Sequence, residues 1–387
     1  MKRVFLIVLD GVGIGSAPDQ IAYGDDGSDT LGNVAQAAGG LSLPTLERLG
    51  LGRCRPLRGV EPVDRPQAAF GVALPTSAGK DSTSGHWELC GLVLERPFPT
   101  YPRGFPDELL AAFAARTGRG VLGNLAVSGT AALDRLGPEH QRTGKWIVYT
   151  SADSVFQIAA HEDVVPPVEL YAACRTAREL LAGDHAVARV IARPFSGRPG
   201  GYQRTAGRKD FALEPVGETL LDRLSGAGVP RVGIGKVEDL FAGRAIASTH
   251  AATNAEAYAL IERALFAVDE GLVFANVIEF DQTWGHRNDV AGFHDGLLAL
   301  DAAVTRWLPS LREDDWLILT ADHGNDPTTP STDHSREAVP LLVAGPRVRP
   351  ASLGARSTFA DVGATVAERF AVGPLAVGAS FLHELVG

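Results

Sequence analysis

Apolar runs of strand length punctuate the chain at residues 4–9, 146–149, 188–192, 229–234, 272–280, 316–320 and 339–343, each rich in Val, Ile and Leu. Runs this short and this uniformly apolar predict strands buried in a sheet. Helical spacing fills the stretches between them. Thr253-x-x-Glu256 has the capping-box pattern that starts a helix to about residue 268, residues 294–311 and 359–370 are spaced similarly, and Asp107 opens a helix that Gly118 can stop. Strand and helix in alternation predict an α/β fold with a mostly parallel central sheet. The pattern contains no internal repeat and no low-complexity tract.

Three of the runs end on an aspartate: Asp10 after residues 4–9, Asp281 after 272–280, and Asp322 after 316–321. His286 follows Asp281 closely, and His323 adjoins Asp322. In open α/β sheets ligands gather at the C-terminal edge of the strands, so these side chains are expected to converge there. With His334, in the polar loop Thr332-Asp333-His334-Ser335, they make three carboxylates and three imidazoles, enough for two divalent cations with positions left open for substrate.

Pro97, Pro99 and Pro102 break any regular element near residue 100, and a softer boundary falls around residues 210–215. All the metal-ligand chemistry lies outside that interval. The expected organisation is therefore a core whose first part is residues 1–97 and second part 214–387, with residues 98–213 as an inserted domain.

Composition narrows the class. A 387-residue chain with 45% hydrophobic and 21% charged residues folds into a sizeable core rather than staying disordered. A net charge of −10 argues against a general nucleic-acid binder. Cys54, Cys90 and Cys174 are too few and too dispersed for a disulfide framework or a metal knuckle. Lys2-Arg3 precedes an apolar run that Asp10 cuts short, which is no signal peptide, and no run reaches the roughly 18 residues of a membrane span. A cytoplasmic enzyme is expected, a monomer with small-molecule partners and neither nucleic acid nor membrane.

Two further constellations carry chemistry. In Gly79-Lys80-Asp81-Ser82-Thr83-Ser84-Gly85-His86-Trp87-Glu88, hydroxyls lie between glycines ahead of an apolar segment, which suits a loop feeding a helix N-terminus where phosphate binds and a metal can ionise a serine. From Ala186 to Lys209 there is no acidic residue, yet Arg189, Arg193, Arg198, Arg204, Arg208 and Lys209 all fall there. Arg189, Ile191 and Arg193 share one face of a strand by period-two alternation. Such an island can clamp a phosphate. Lys236, just past the run 229–234, is a further candidate at the rim of the core.

These blocks, together with Asp10-Gly11-Val12-Gly13-Ile14-Gly15, the stretch from Tyr149 to Glu162, Ile191-Ala192-Arg193-Pro194-Phe195 and Asp333-His334-Ser335-Arg336-Glu337, resemble the alkaline phosphatase superfamily and, within it, the phosphopentomutase family. The resemblance covers nearly the whole chain. The 79–88 and 151–162 stretches are specific to phosphopentomutases, whereas the Asp/His set fits the whole superfamily. It implies an alkaline-phosphatase-like core with helices on both faces of the sheet and an inserted α+β cap domain. It also implies one metal on Asp10, Asp322 and His323 beside the nucleophile, and another on Asp281, His286 and His334. The family's nucleophile is a threonine four positions before the Gly-His histidine, and Ser82 holds that position here, as nucleophile and as a ligand of the metal beside it. Ser151, Asp153 and Val155 are implied at the sugar. Two manganese ions are implied as cofactors, with glucose 1,6-bisphosphate or ribose 1,5-bisphosphate as activator; the ligands alone equally admit zinc, iron or magnesium. The implied activity interconverts ribose 1-phosphate and ribose 5-phosphate, and their 2-deoxy counterparts. The rival readings are a metal-dependent phosphomonoester hydrolase or phosphoglycerate mutase of the same superfamily, and a non-catalytic phosphosugar-binding protein.

Overall fold

The computed structural model describes residues 2–151 and 153–386; Ala152, within the Tyr149-to-Glu162 block, lies outside them. The chain divides into two compact units, one formed by residues up to Arg96 and from Pro215 onward, the other by Pro97–Glu214.

The first unit is built on an eight-stranded sheet. Its central strand is Arg3–Leu9, paired in parallel with Gly271–Val277 on one side and Trp316–Thr320 on the other. Arg231–Ile234 and Ser248–Thr249 extend the parallel array beyond Gly271–Val277. On the far side Val339–Ala344 runs antiparallel to its neighbours, followed by Ala69–Ala73 and Ser352–Arg356. Every residue of Arg3–Leu9, Gly271–Val277, Trp316–Thr320 and Val339–Ala344 is buried, so both faces of the sheet are covered. That explains why these strands read as continuous apolar runs.

Arg3, which precedes the apolar run in sequence, joins the strand and is fully buried. Its Nε donates to Asp315 Oδ1 (2.9 Å), and its Nη1 donates to the carbonyls of Leu265 (2.6 Å) and Val268 (2.9 Å). A charge buried this deeply is tolerated because its donors are matched by a carboxylate and carbonyls.

One expected element differs. The apolar run 272–280 predicts a strand up to Asp281, but pairing stops at Val277 and Phe280–Trp284 forms a π-helical turn. Hydrophobicity continues past the strand because Phe280 remains in the core, its ring against Trp284 (5.2 Å) and Phe293 (5.1 Å). Asp281 is thus delivered by a π-turn, a feature that recurs at functional sites. The Thr253 cap is also only half the expected box: the Thr253 side chain accepts from Glu256 N, while the Glu256 carboxylate turns to Ala252 N. Helix Val290–Trp307 starts before residue 294 because Asp289 caps it through Gly292 N.

The Pro97–Glu214 unit has a mixed sheet in the order Val121–Ala126, Trp146–Thr150, Val155–His161, Arg189–Ser196 and Gln203–Arg204, with Lys209–Ala212 also paired to Arg189–Ser196. Phe113, Trp146, Phe156, Leu170 and Cys174 fill one cluster, and Leu133, Ile147, Tyr149 and Phe195 another. Cys90 and Cys174 are buried free thiols pushed upward in pKa by that burial. Among the described residues no helix is long and apolar enough to cross a membrane.

Candidate metal centre and phosphate pocket

At the C-terminal end of the central strand the chain must turn sharply. Gly11, at φ 80°, makes that turn, and a Cβ there would lie 3.0 Å from Asn325 Cβ and 3.2 Å from Asp281 Cβ. The absence of a side chain lets segments more than 250 residues apart in sequence close on Asp10. The six expected ligands come together as two groups of three, Asp10 with Asp322 and His323, and Asp281 with His286 and His334. The rings of His323 and His334 are 4.3 Å apart, which makes the groups neighbours.

The first group is fully buried. Asp10 Oδ1 faces His323 Nε2 at 3.3 Å, and Asp322 Oδ1 accepts from Gly11 N at 3.2 Å. In the second group, Asp281 lies 3.2 Å from His334 Nε2 and 3.4 Å from His286 Nε2. His286 Nδ1 donates to the Thr332 carbonyl (2.6 Å), so Nε2 is the nitrogen turned to Asp281, and against the effect of burial Asp281 raises the pKa of the ring.

Ser82 opens the helix Ser82–Leu89, whose N-cap Asp81 accepts from Thr83 N and Ser84 N. Ser84 is consumed by that cap, its hydroxyl donating to Asp81. Ser82 instead aims its Oγ at the first group, 3.1 Å from Asp10 Oδ1 and 3.2 Å from His323 Nε2. The helix can approach this closely because of Gly85, where a Cβ would come within 2.2 Å of the Asp322 carbonyl oxygen. Two buried residues hold the loop ahead of Ser82. Glu88 accepts from Thr76 N and Ser77 N, and Arg336 donates to the carbonyls of Ser77 and Gly79 (both 2.6 Å) while paired with Asp19.

The electrostatics suit cations. Burial alone would raise the Asp10 carboxyl, but Lys236 and His323 outweigh it and hold it well below the usual carboxylate range. Burial likewise opposes ionisation of Asp281, which His334 and His286 depress. Burial would lower His323, yet Asp322, Asp10 and Asp281 push it up to about 10. Asp322 Oδ2 is buried with the His86 and His323 rings 3.0 and 3.5 Å away, but among the described residues it accepts no well-aligned hydrogen bond. A buried carboxylate oxygen without a hydrogen bond, set among other nitrogen and oxygen ligand atoms, suits a divalent cation, so the residues fit the metals that the resemblance implies.

Lys236 stands apart from the other expected substrate residues. Its Nζ lies 3.1 Å from Asp10 Oδ2, in the metal centre. Ser151, Asp153, Val155, Arg189, Ile191, Arg193 and Arg204 instead line one cavity of about 230 Å³ in the Pro97–Glu214 unit, joined there by Tyr149, Gln157 and Arg208. Asp210, just beyond the acid-free stretch, pairs with Arg208 (2.8 Å) and Arg189 (3.6 Å). Among the described residues no carboxylate pairs with Arg193 or Arg204, and Arg193 Nε donates to Gln157 Oε1 at 3.1 Å. Burial and the neighbouring Arg208 and Arg204 lower the pKa of Arg193 more than Tyr149 and Asp210 raise it.

Sequence reasoning missed His86, Asn276 and Asn325 as members of the centre. Asn276 Nδ2 donates to Asp10 Oδ2 (3.1 Å), and Asn325 Nδ2 donates to Asp281 Oδ1 (2.7 Å). Asn276 sits inside an apolar run, and a polar residue in such a run was the available signal.

Several known proteins are similar to this chain. A model of the metalloenzyme superfamily matches residues 2–374. The phosphopentomutase of Caldanaerobacter subterraneus subsp. tengcongensis is 53% identical over 387 residues, covering 100% of this chain and 98% of its own. That of Anaeromyxobacter dehalogenans is 55% identical over 386 residues, covering 99% and 98%. Among solved structures, a phosphoglycerate mutase of Leishmania mexicana covers 97% of this chain and 96% of its own at 13% identity, with a TM-score of 0.47. The fold and centre are those of a metal-dependent, alkaline-phosphatase-like enzyme. Within that superfamily the chain belongs to the phosphopentomutase family of isomerases.

Proposed function

We propose that this chain interconverts ribose 1-phosphate and ribose 5-phosphate, and the corresponding 2-deoxy sugars, with Ser82 as the phosphoryl carrier. Phospho-Ser82 transfers its phosphoryl group to the free hydroxyl of the substrate, breaking the Ser82 O–P bond and forming a 1,5-bisphosphate. Either phosphate of that intermediate then returns to Ser82, so product and substrate differ only in which one is taken. Two manganese ions serve as cofactors, one on Asp10, Asp322, His323 and Ser82, the other on Asp281, His286 and His334. When bound, they neutralise charge on the reacting phosphoryl group and favour the serine alkoxide. Arg193 and Arg204, with Arg189, hold the non-reacting phosphate, while Ser151, Asp153, Val155 and Ile191 contact the sugar. Lys236 keeps Asp10 ionised. Glucose 1,6-bisphosphate or ribose 1,5-bisphosphate primes Ser82, and the enzyme works as a cytoplasmic monomer.

The observation that carries this reading is the Ser82 hydroxyl within 3.2 Å of both Asp10 and His323, at the N-terminus of a capped helix. The test is incubation with manganese, a bisphosphate primer and ribose 5-phosphate, following ribose 1-phosphate and free phosphate together. Isomerisation with little phosphate release is the expected result. Phosphate release that outpaces isomerisation would assign the chain to hydrolysis instead.

A further inference from the structure

Ser82 and three buried groups around it form a closed hydrogen-bonded ring. Ser82 Oγ meets Asp10 Oδ1 at 3.1 Å, and the Ser82 carbonyl meets His86 Nδ1 at 2.9 Å. His86 Nε2 faces Asn276 Nδ2 at 3.3 Å, and the same amide nitrogen donates to Asp10 Oδ2 at 3.1 Å, which returns to the start. His86, Asn276 and Asp10 are all 0% exposed. The roles around the ring are forced. A carbonyl can only accept, so His86 Nδ1 carries the proton; Nε2 is then a lone pair and accepts from Asn276.

Asn276 supplies the sharper clue. Among the described residues its Oδ1 is buried without a hydrogen-bond partner, while its Nδ2 serves two acceptors. An unsatisfied buried carbonyl is costly, and a leucine of similar shape would avoid it. What an asparagine supplies here and a leucine cannot is its N–H groups. With Lys236 they occupy Asp10 Oδ2 and leave Oδ1 as the oxygen turned to Ser82 and His323.

We propose that His86 and Asn276 are positioning residues which lock Ser82 and Asp10 into one rigid unit, selecting the Asp10 oxygen offered to the metal and fixing the nucleophile beside it. This rests on the reading of Ser82 as nucleophile. His86 also lies 3.0 Å from Asp322 Oδ2 and stacks on Phe274 at 5.7 Å, so the same ring touches both carboxylates of the first group.

The test uses the full chain with Asn276→Leu, His86→Phe and His86→Asn. Phenylalanine keeps the stack on Phe274 without either nitrogen, whereas asparagine can retain a donor near the Nδ1 position. Titration with manganese alone should show one binding event weakened about ten- to a hundredfold in Asn276→Leu and His86→Phe, the other unchanged, and partial recovery in His86→Asn. With phosphopentose, kcat should fall by a similar factor while KM stays within about twofold. Unaltered manganese affinity in Asn276→Leu overturns the proposal, as does a His86→Asn variant no better than His86→Phe. If wild-type isomerisation persists in those cases, the proposed function stands and only the ring fails; a wild-type chain that takes up no manganese overturns both.

Discussion

The metal centre and the arginine pocket gather opposite charges by opposite means. In the centre, the carboxylates and His323 are buried, His286 and His334 are half-buried, and neighbours such as Asn276, Asn325 and Gly11 hold the carboxylates. In the pocket, the guanidinium groups of Arg193 and Arg204 lack carboxylate partners among the described residues, and Arg193 is steadied by an amide. A site that must be exact before substrate arrives is prefabricated. A site whose counter-charge comes with the substrate is left electrostatically incomplete.

That contrast can be broken most severely at the centre. Asp322→Ala and Asp281→Ala should each abolish turnover of phosphopentose and of a small aryl phosphate alike, with circular dichroism unchanged, because each removes a ligand from one group of three. Chelation should do the same reversibly, and full activity in a metal-free sample would sink the metal reading. Next in size is Ser82→Ala, which should eliminate isomerisation and the covalent phosphate that peptide mass spectrometry finds after treatment with a bisphosphosugar. Phosphate on Thr83 or Ser84 alone would move the assignment.

The pocket should yield a selective loss. Arg193→Ala or Arg204→Ala should cost isomerisation about 1.5–3 kcal/mol, roughly ten- to a hundredfold, while hydrolysis of an aryl phosphate changes little. Equal losses on both substrates would make these arginines structural. The smallest effect is expected far from either site. Thr253→Ala removes an N-cap and should destabilise the chain by about 1 kcal/mol, seen as a lower denaturation midpoint, with kcat and KM unmoved.

What the sequence revealed, and what it hid, follows from the range of the interactions. Asp10 and Asp322 were legible because each closes an apolar strand, a local pattern. Asp281 was found for a partly mistaken reason: the run 272–280 does not reveal that pairing stops at Val277, since Phe280 stays buried in a π-turn. Ala69–Ala73 escaped notice because its short Ala-Phe-Gly-Val-Ala run carries little β-propensity, and only its neighbours make it a strand. Asn276 was marked only as a polar residue in an apolar run; its role was opaque, since its partners are 190 and 266 residues away. Lys236 was visible as a candidate, but its attachment to Asp10 could come only from the fold.

The central position of Arg3–Leu9 bears on how the protein is made. This strand, which precedes its partners by more than 250 residues, pairs with Gly271–Val277 and Trp316–Thr320, so it waits for most of the chain before it has either neighbour. The strand pairs of the Pro97–Glu214 unit lie wholly within residues 121–212 and are complete much earlier. The inserted unit is therefore expected to become protease-resistant first, while the opening segment is still open to attack. Nascent chains stalled at about residue 250 should yield a protected fragment from the insert and none from the first 96 residues. Early protection of the opening segment would contradict this. During synthesis, the segment that carries Ser82 waits on the translation of Asp322 and His323, which it closes against.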